Sequence, residues 1–204
     1  RAPRRPGRDA LSPRSAPTAA ARYPAGVSIP ERRIVLVRAV NVGGTAKLPM
    51  AEWRALAQSL GAREVSTYIA SGNMVCTIDG DPAAFDRALE AGIETRFGFF
   101  REVTSRTRDE LVAAIDAHPF EVAEPRFSYI SFLGGEPGPE GVEAARRLDT
   151  GADRWELVGR ELHLSYAGGA GRAQLKESQL MRALGVIGTS RNLNTVRRLI
   201  ELAA

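Results

Sequence analysis

The chain has 204 residues, a net charge of +4 and an isoelectric point near 9.7, long enough for one substantial domain or two small ones without metal or disulfide staples. A single cysteine, Cys76, excludes an internal disulfide framework, and neither His118 nor His163 has a neighbour at zinc-ligand spacing. No apolar run reaches the roughly 20 residues that cross a bilayer, so the composition predicts a cytoplasmic protein with no membrane span and no metal, haem or dinucleotide signature.

Residues 1–30 carry six arginines (Arg1, Arg4, Arg5, Arg8, Arg14, Arg22) against Asp9, with Pro3, Pro6, Pro13, Pro17, Pro24 and Pro30 among them. This density of proline forbids an amphipathic transit helix and predicts a disordered extension. The remainder holds 22 basic and 23 acidic residues, so the basicity belongs to the tail. A nucleic-acid partner is suggested only weakly, through non-specific phosphate contact by that tail.

Order begins at a buried strand, Ile34 to Ala39. After a Gly43-Gly44 loop, Pro49 suits the first turn of a helix whose Met50, Trp53, Leu56, Ala57 and Leu60 recur at helical spacing until Gly61. Val65, Thr67 and Ile69 alternate as a strand; Ser71-Gly72 turns into its hairpin partner, where Met74, Cys76 and Ile78 alternate. Asp81-Pro82 opens a helix that buries Phe85, Leu89, Ile93 and Phe97, and Phe99 to Ser105 follows as a strand. This β-α-β-β-α-β order is the ferredoxin-like split unit.

The rest nearly repeats it: a short helix Arg108 to Asp116, a strand Phe127 to Leu133, a helix Pro139 to Leu148, and a hairpin of Arg154 to Val158 with Glu161 to Tyr166. Helices at Gln174 to Leu184 and Asn192 to Leu202 close the chain. The expected fold is α+β: one unit over residues 31–204 made of two ferredoxin-like halves, about 31–105 and 126–204, with helices covering antiparallel sheets.

Arginine outnumbers lysine 26 to 2 and asparagine occurs four times, so clusters of these scarce residues are informative. Lys47, Lys176, Asn41, Asn73, Asn192 and Asn194 fall in three short segments: Asn41 to Lys47, Ser71 to Asn73, and Arg172 to Thr195. The first links a strand to a helix start, where backbone N–H groups favour an anion, although it lacks the P-loop pattern and also reads as a plain turn. The third opens the terminal helix with more hydroxyls, amides and cations than capping requires.

Conventional catalytic arrangements are missing from the pattern. Cys76 shares a face with Met74 and Ile78 and reads as a structural thiol; His118 and His163 have no evident partner; no pair of carboxylates stands out. Nor does the third strand carry the stacking aromatics of an RNA-recognition module.

Arg38, Asn41-Val42-Gly43-Gly44, Lys47, Pro49-Met50, Thr67-Tyr68-Ile69, Ser71-Gly72-Asn73, Gly171-Arg172 and Arg191-Asn192-x-Asn194-Thr195 together resemble the domain of unknown function 1697 family, in order, across nearly all of residues 33–204. The resemblance implies duplicated ferredoxin-like units. The chain departs from that pattern at Ala39, where glycine is usual, and at Ala70, Ala173-Gln174 and Leu193.

Scarcity and resemblance select the same positions. The expected activity is binding of an anionic small molecule or nucleotide phosphate in a cleft between the halves, with catalysis undetermined. Its ligand-binding set is Arg38, Asn41, Gly43, Gly44, Lys47, Tyr68, Ser71, Gly72, Asn73, Arg172, Lys176, Thr189, Arg191, Asn192, Asn194 and Thr195. The alternatives are nucleic-acid binding through the tail, or a structural or interaction module in which the asparagines are caps.

Overall fold

A computed structural model describes residues 30–204; residues 1–29 of the expected disordered tail lie outside them. The first half runs β1 (Glu31–Val37), α1 (Met50–Ser59), β2 (Arg63–Tyr68), β3 (Asn73–Ile78), α2 (Pro82–Phe97), β4 (Val103–Arg106) and α3 (Arg108–Asp116). The second runs β5 (Ser128–Leu133), α4 (Pro139–Arg146), β6 (Arg154–Val158), β7 (Glu161–Ser165), α5 (Glu177–Leu184), β8 (Gly188–Asn192) and α6 (Leu193–Leu202). Each half forms a four-stranded antiparallel sheet, in the orders β2-β3-β1-β4 and β6-β7-β5-β8. The second half therefore repeats the first in full, down to a helix after the fourth strand.

Three apolar clusters explain the layering. Val35 and Val37 of β1 pack with Met74, Cys76 and Ile78 of β3 under α1 and α2, anchored by Trp53, Leu89 and Ile93. Leu133, Leu162 and Leu164 of the second sheet pack under α4 and α5 with Leu180 and Leu184. Between the sheets, Ile34 and Leu36 meet Ile130 and Phe132 together with Leu111 of α3 and Val196 and Leu199 of α6. β1 is thus apolar on both faces because both are covered, and its period-2 alternation divides it between two cores. Burying such side chains contributes about 1.5–3 kcal/mol each, so the middle layer binds the halves into one unit.

Local chemistry sets the helix ends. Asp81 accepts from Ala83 N and Ala84 N at the start of α2, Gly98 ends that helix with φ 75°, and Thr107 with Glu110 closes a capping box on α3. Cys76 is buried, and burial pushes its thiol up to about 12, as a structural thiol requires.

Several expected bounds move. β1 stops at Val37 because Ala39 takes φ 48°; Ile69 leaves its strand for an exposed turn at φ 48°; Phe97 is only partly buried; and β4 starts at Val103 rather than Phe99. The expected helix from Gln174 begins only at Glu177, after a 3-10 turn at Ala170–Arg172. The cause is Asp153, whose carboxylate accepts from Ala167 N, Gln174 N and Leu175 N and pins that segment in an irregular path. The polar run expected to open the terminal helix is instead a strand, β8, paired with β5; α6 starts after it, capped by Asn192.

Candidate functional site

A cavity of about 380 Å³ lies between the halves, within the size range of small-molecule sites. The first half supplies Arg38, Ala39, Val40, Val42 and Ser71; the second supplies Glu177, Ser178 and Met181 from α5 with Gly188 to Arg191 from β8.

Arg191 forms one wall. It is 8 % exposed, and its guanidinium reaches across the interface: Nε donates to Asn73 Oδ1, Nη2 to Val37 O and Ser71 O at 2.9 Å each, and Nη1 to Thr189 Oγ1 and Ser190 O at 2.8 Å each. Every one of these acceptors is neutral. Burial lowers its pKa to about 10, opposed by the negative charge of Glu177, the one carboxylate that acts on it. Glu177 binds elsewhere, accepting from Ser190 Oγ and, at 3.4 Å, from Ser131 Oγ. Arg38 Nη1 pairs with Glu102 at 3.3 Å, with the arginine side chain 38 % exposed.

The rim is a strained loop. Ala39, Asn41 and Ala46 have φ between 48° and 56°, a region L-residues seldom adopt, Gly43 and Gly44 join them at 61° and 75°, and Ile69 in the turn between β2 and β3 has φ 48°. Asn41 holds this path: its Nδ2 donates to Leu48 O and Ala70 O, and its Oδ1 accepts from Leu48 N. Gly72, φ 77°, lies beneath, where an added Cβ would stand 2.8 Å from Val40 Cγ2 and 3.0 Å from Val37 Cβ. Val42 and Ile69 stand exposed at this edge.

The expected site residues thus divide. Arg38, Ser71, Thr189 and Arg191 line the cavity, Asn73 and Gly72 support it from below, and Asn41, Gly43 and Gly44 build its rim loop. Lys47 is exposed outside the lining; Arg172 is exposed on the 3-10 turn; Lys176 Nζ donates to Ala173 O. Tyr68 packs toward the core between the sheets, Asn192 caps α6 by accepting from Thr195 N, Thr195 is buried, and Asn194 is exposed.

Sequence reasoning missed Glu177, Ser178, Met181 and Ser190, and a second set that mirrors the first. Arg106 faces Ile34 across β4 as Arg191 faces Ile130 across β8. Its Nη2 donates to Leu133 O at 2.8 Å and its Nη1 to Ser105 O, the counterparts of Val37 O and Ser190 O. Where Arg191 meets Asn73, Arg106 meets Glu161 at 3.0 Å. Asp86 of α2 accepts from Ser105 as Glu177 of α5 accepts from Ser190, and burial raises Asp86 to about 6. The signal for this reciprocity is the tripeptide Thr-Ser-Arg, present at 104–106 and again at 189–191.

The two histidines, expected to lack partners, are each other's: His118 Nδ1 and His163 Nδ1 lie 2.9 Å apart, one donating and one accepting. The hairpin carries His163 on the face opposite Leu162 and Leu164, toward the end of α3, a placement invisible in a one-dimensional pattern. Among the described residues no group of three or more His, Cys, Asp or Glu is placed to hold a metal ion, and no helix is long and apolar enough to cross a membrane.

Comparison with known proteins gives a family and a fold. A family model described as a protein of unknown function, DUF1697, matches residues 31–163. The structure of the conserved bacterial protein SP0830 from Streptococcus pneumoniae superposes with a TM-score of 0.66 at 19 % identity, covering 86 % of this chain and 100 % of that one. A structure named for a glycine cleavage system transcriptional repressor reaches a TM-score of only 0.23 at 12 % identity, covering 80 % of this chain and 98 % of its own, and supports no argument. No curated protein matches the chain.

Proposed function

From the premise that the chain belongs to the DUF1697 family and has its duplicated α+β fold, we propose that it binds an anionic small molecule in the cavity between its halves, against Arg38 and Arg191. The observation that carries this reading is the contrast between two equivalent arginines. Arg106 is buried against a carboxylate, Glu161, whereas Arg191 is buried against the neutral amide of Asn73. A buried cation without an ion-pair partner is costly, by several kcal/mol in order of magnitude, and a bound anion offsets that cost. The hydroxyls of Ser71, Ser178 and Thr189 and the Arg38 guanidinium line the same space as direct donors, while Arg191, whose donors are already engaged, supplies positive potential from behind. Backbone strain concentrated at the rim accords with a functional edge.

The test is a thermal-shift titration with acetate, inorganic phosphate and AMP at pH 7.5, on the wild type and on Asn73→Asp. Asn73→Asp gives Arg191 the carboxylate its counterpart has. The wild type is expected to gain Tm with at least one anion, and the variant to lose most of that gain. Silence of the wild type toward every anion removes the proposal; an unchanged response in Asn73→Asp removes Arg191 as its cause.

A further inference from the structure

The geometry points to an α-amino acid with an apolar side chain as the ligand class of this cavity, an inference that rests on the anion reading above and narrows it. Opposite charges flank a single residue of the wall: Arg191 Nη1 donates to Ser190 O, while Glu177 accepts from Ser190 Oγ. Both hydroxyls that reach Glu177 donate to Oε1, and its Oε2 takes no hydrogen bond from the described residues. Arg38, contributed to the same lining by the first half, engages Glu102 through Nη1, leaving its Nε and Nη2 without a hydrogen bond among the described residues.

Two residues of the cavity lining, Arg38 and Glu177, therefore keep an unused cationic fork and an unused carboxylate oxygen, and Arg191 holds a positive charge within about one residue's width of Glu177. A simple carboxylate meets two cations, Arg38 and Arg191, and binds, but more weakly for the like charge of Glu177; a simple amine satisfies Glu177 but meets both cations. A zwitterion with both groups on one carbon answers each with its opposite, and Arg38 can take a carboxylate in bidentate fashion. Val40, Val42 and Met181 supply an apolar wall for the side chain. Specificity then comes as much from the penalty imposed on the half-matched ligands as from attraction to the matched one.

Isothermal titration at pH 7.5 with L-leucine, 4-methylpentanoate and 3-methylbutylamine separates the contributions, because the last two are leucine without its amine and without its carboxylate. Leucine is expected to bind at least about tenfold more tightly than either, and more tightly than glycine, which lacks the apolar body. Glu177→Gln, which is nearly isosteric, should erase the advantage of leucine over 4-methylpentanoate by weakening leucine and, with the like charge gone, tightening 4-methylpentanoate. Equal binding of leucine and 4-methylpentanoate by the wild type overturns the amino-acid inference and leaves the anion reading standing. Absence of binding by all of these together with acetate and phosphate overturns both.

Discussion

Asn73 and Glu161 hold one position in two sheets: Asn73 faces Leu36 at the start of β3, Glu161 faces Phe132 at the start of β7, and each receives the Nε of an arginine from the other half. The interface between the halves is thus closed twice by the same device, once as an ion pair and once as an amide contact. The difference is one of charge compensation, and it sets the first expectation for stability.

Glu161→Ala should destabilise the protein by about 3–5 kcal/mol, because it strands Arg106 as an uncompensated buried cation. Asn73→Ala removes a single neutral acceptor, Oδ1, from Arg191, and its expected cost is about 1–3 kcal/mol. Urea unfolding measures both. Equal losses would mean that the two arginines are held by the same energetics, with no asymmetry between ion pair and amide contact.

Ala39→Gly should stabilise the chain by about 0.5–1 kcal/mol. Ala39 stands at φ 48°, where a Cβ is penalised. The gain is the relief of that penalty less the greater unfolded-state entropy of glycine. A lower Tm in the variant would show that the alanine methyl makes a compensating contact.

Acidification should weaken the histidine contact. Burial holds His163 down to about 4, with His118 adding to the depression, against an ordinary value of 6.5. Between those limits the unfolded chain binds the extra proton and the folded one does not, so this contribution is whole above about pH 6.5 and is lost as pH falls toward about 4. Asp86 runs the other way: raised from 3.8 to about 6, it favours the folded state at low pH and loses that contribution as pH rises through about 6. Comparing wild type with His163→Leu at pH 7 and pH 4.5 isolates the histidine. The stability difference between them should shift toward the variant at the lower pH, and a difference that ignores pH would refute the assignment.

The clustered asparagines should differ sharply. Asn192→Ala removes the α6 cap and costs about 1 kcal/mol. Asn41→Ala loses three hydrogen bonds and leaves alanine in a left-handed conformation, for a cost of about 2–3 kcal/mol. Exposed Asn194→Ala should change stability by no more than about 0.5 kcal/mol. Thermal melts of the three variants give the ranking directly.

Elements whose formation depends on neighbours along the chain were legible in the amino-acid sequence. Apolar spacing located α1 and α2, alternation located β3, Asp81-Pro82 marked a helix start, and the repeated order of elements announced a duplicated ferredoxin-like fold. β8 was not legible, because Gly188-Thr189-Ser190-Arg191 carries no alternation of apolar residues; it is a strand because β5 pairs with it and because its polar groups find partners in the other half. For the same reason Arg106 was not singled out and Arg191 was expected only as a ligand-binding cation, not as a buried tie between the halves, and His118 and His163 looked solitary because 45 positions of chain separate them. Period and propensity act over a few residues and survive in one dimension, whereas the compensation of a buried charge depends on what folding brings beside it. The amino-acid sequence by itself determined the first sheet, most of the second and the helices that cover them; only the tertiary structure decided which arginine is neutralised by a carboxylate and which is buried among neutral acceptors.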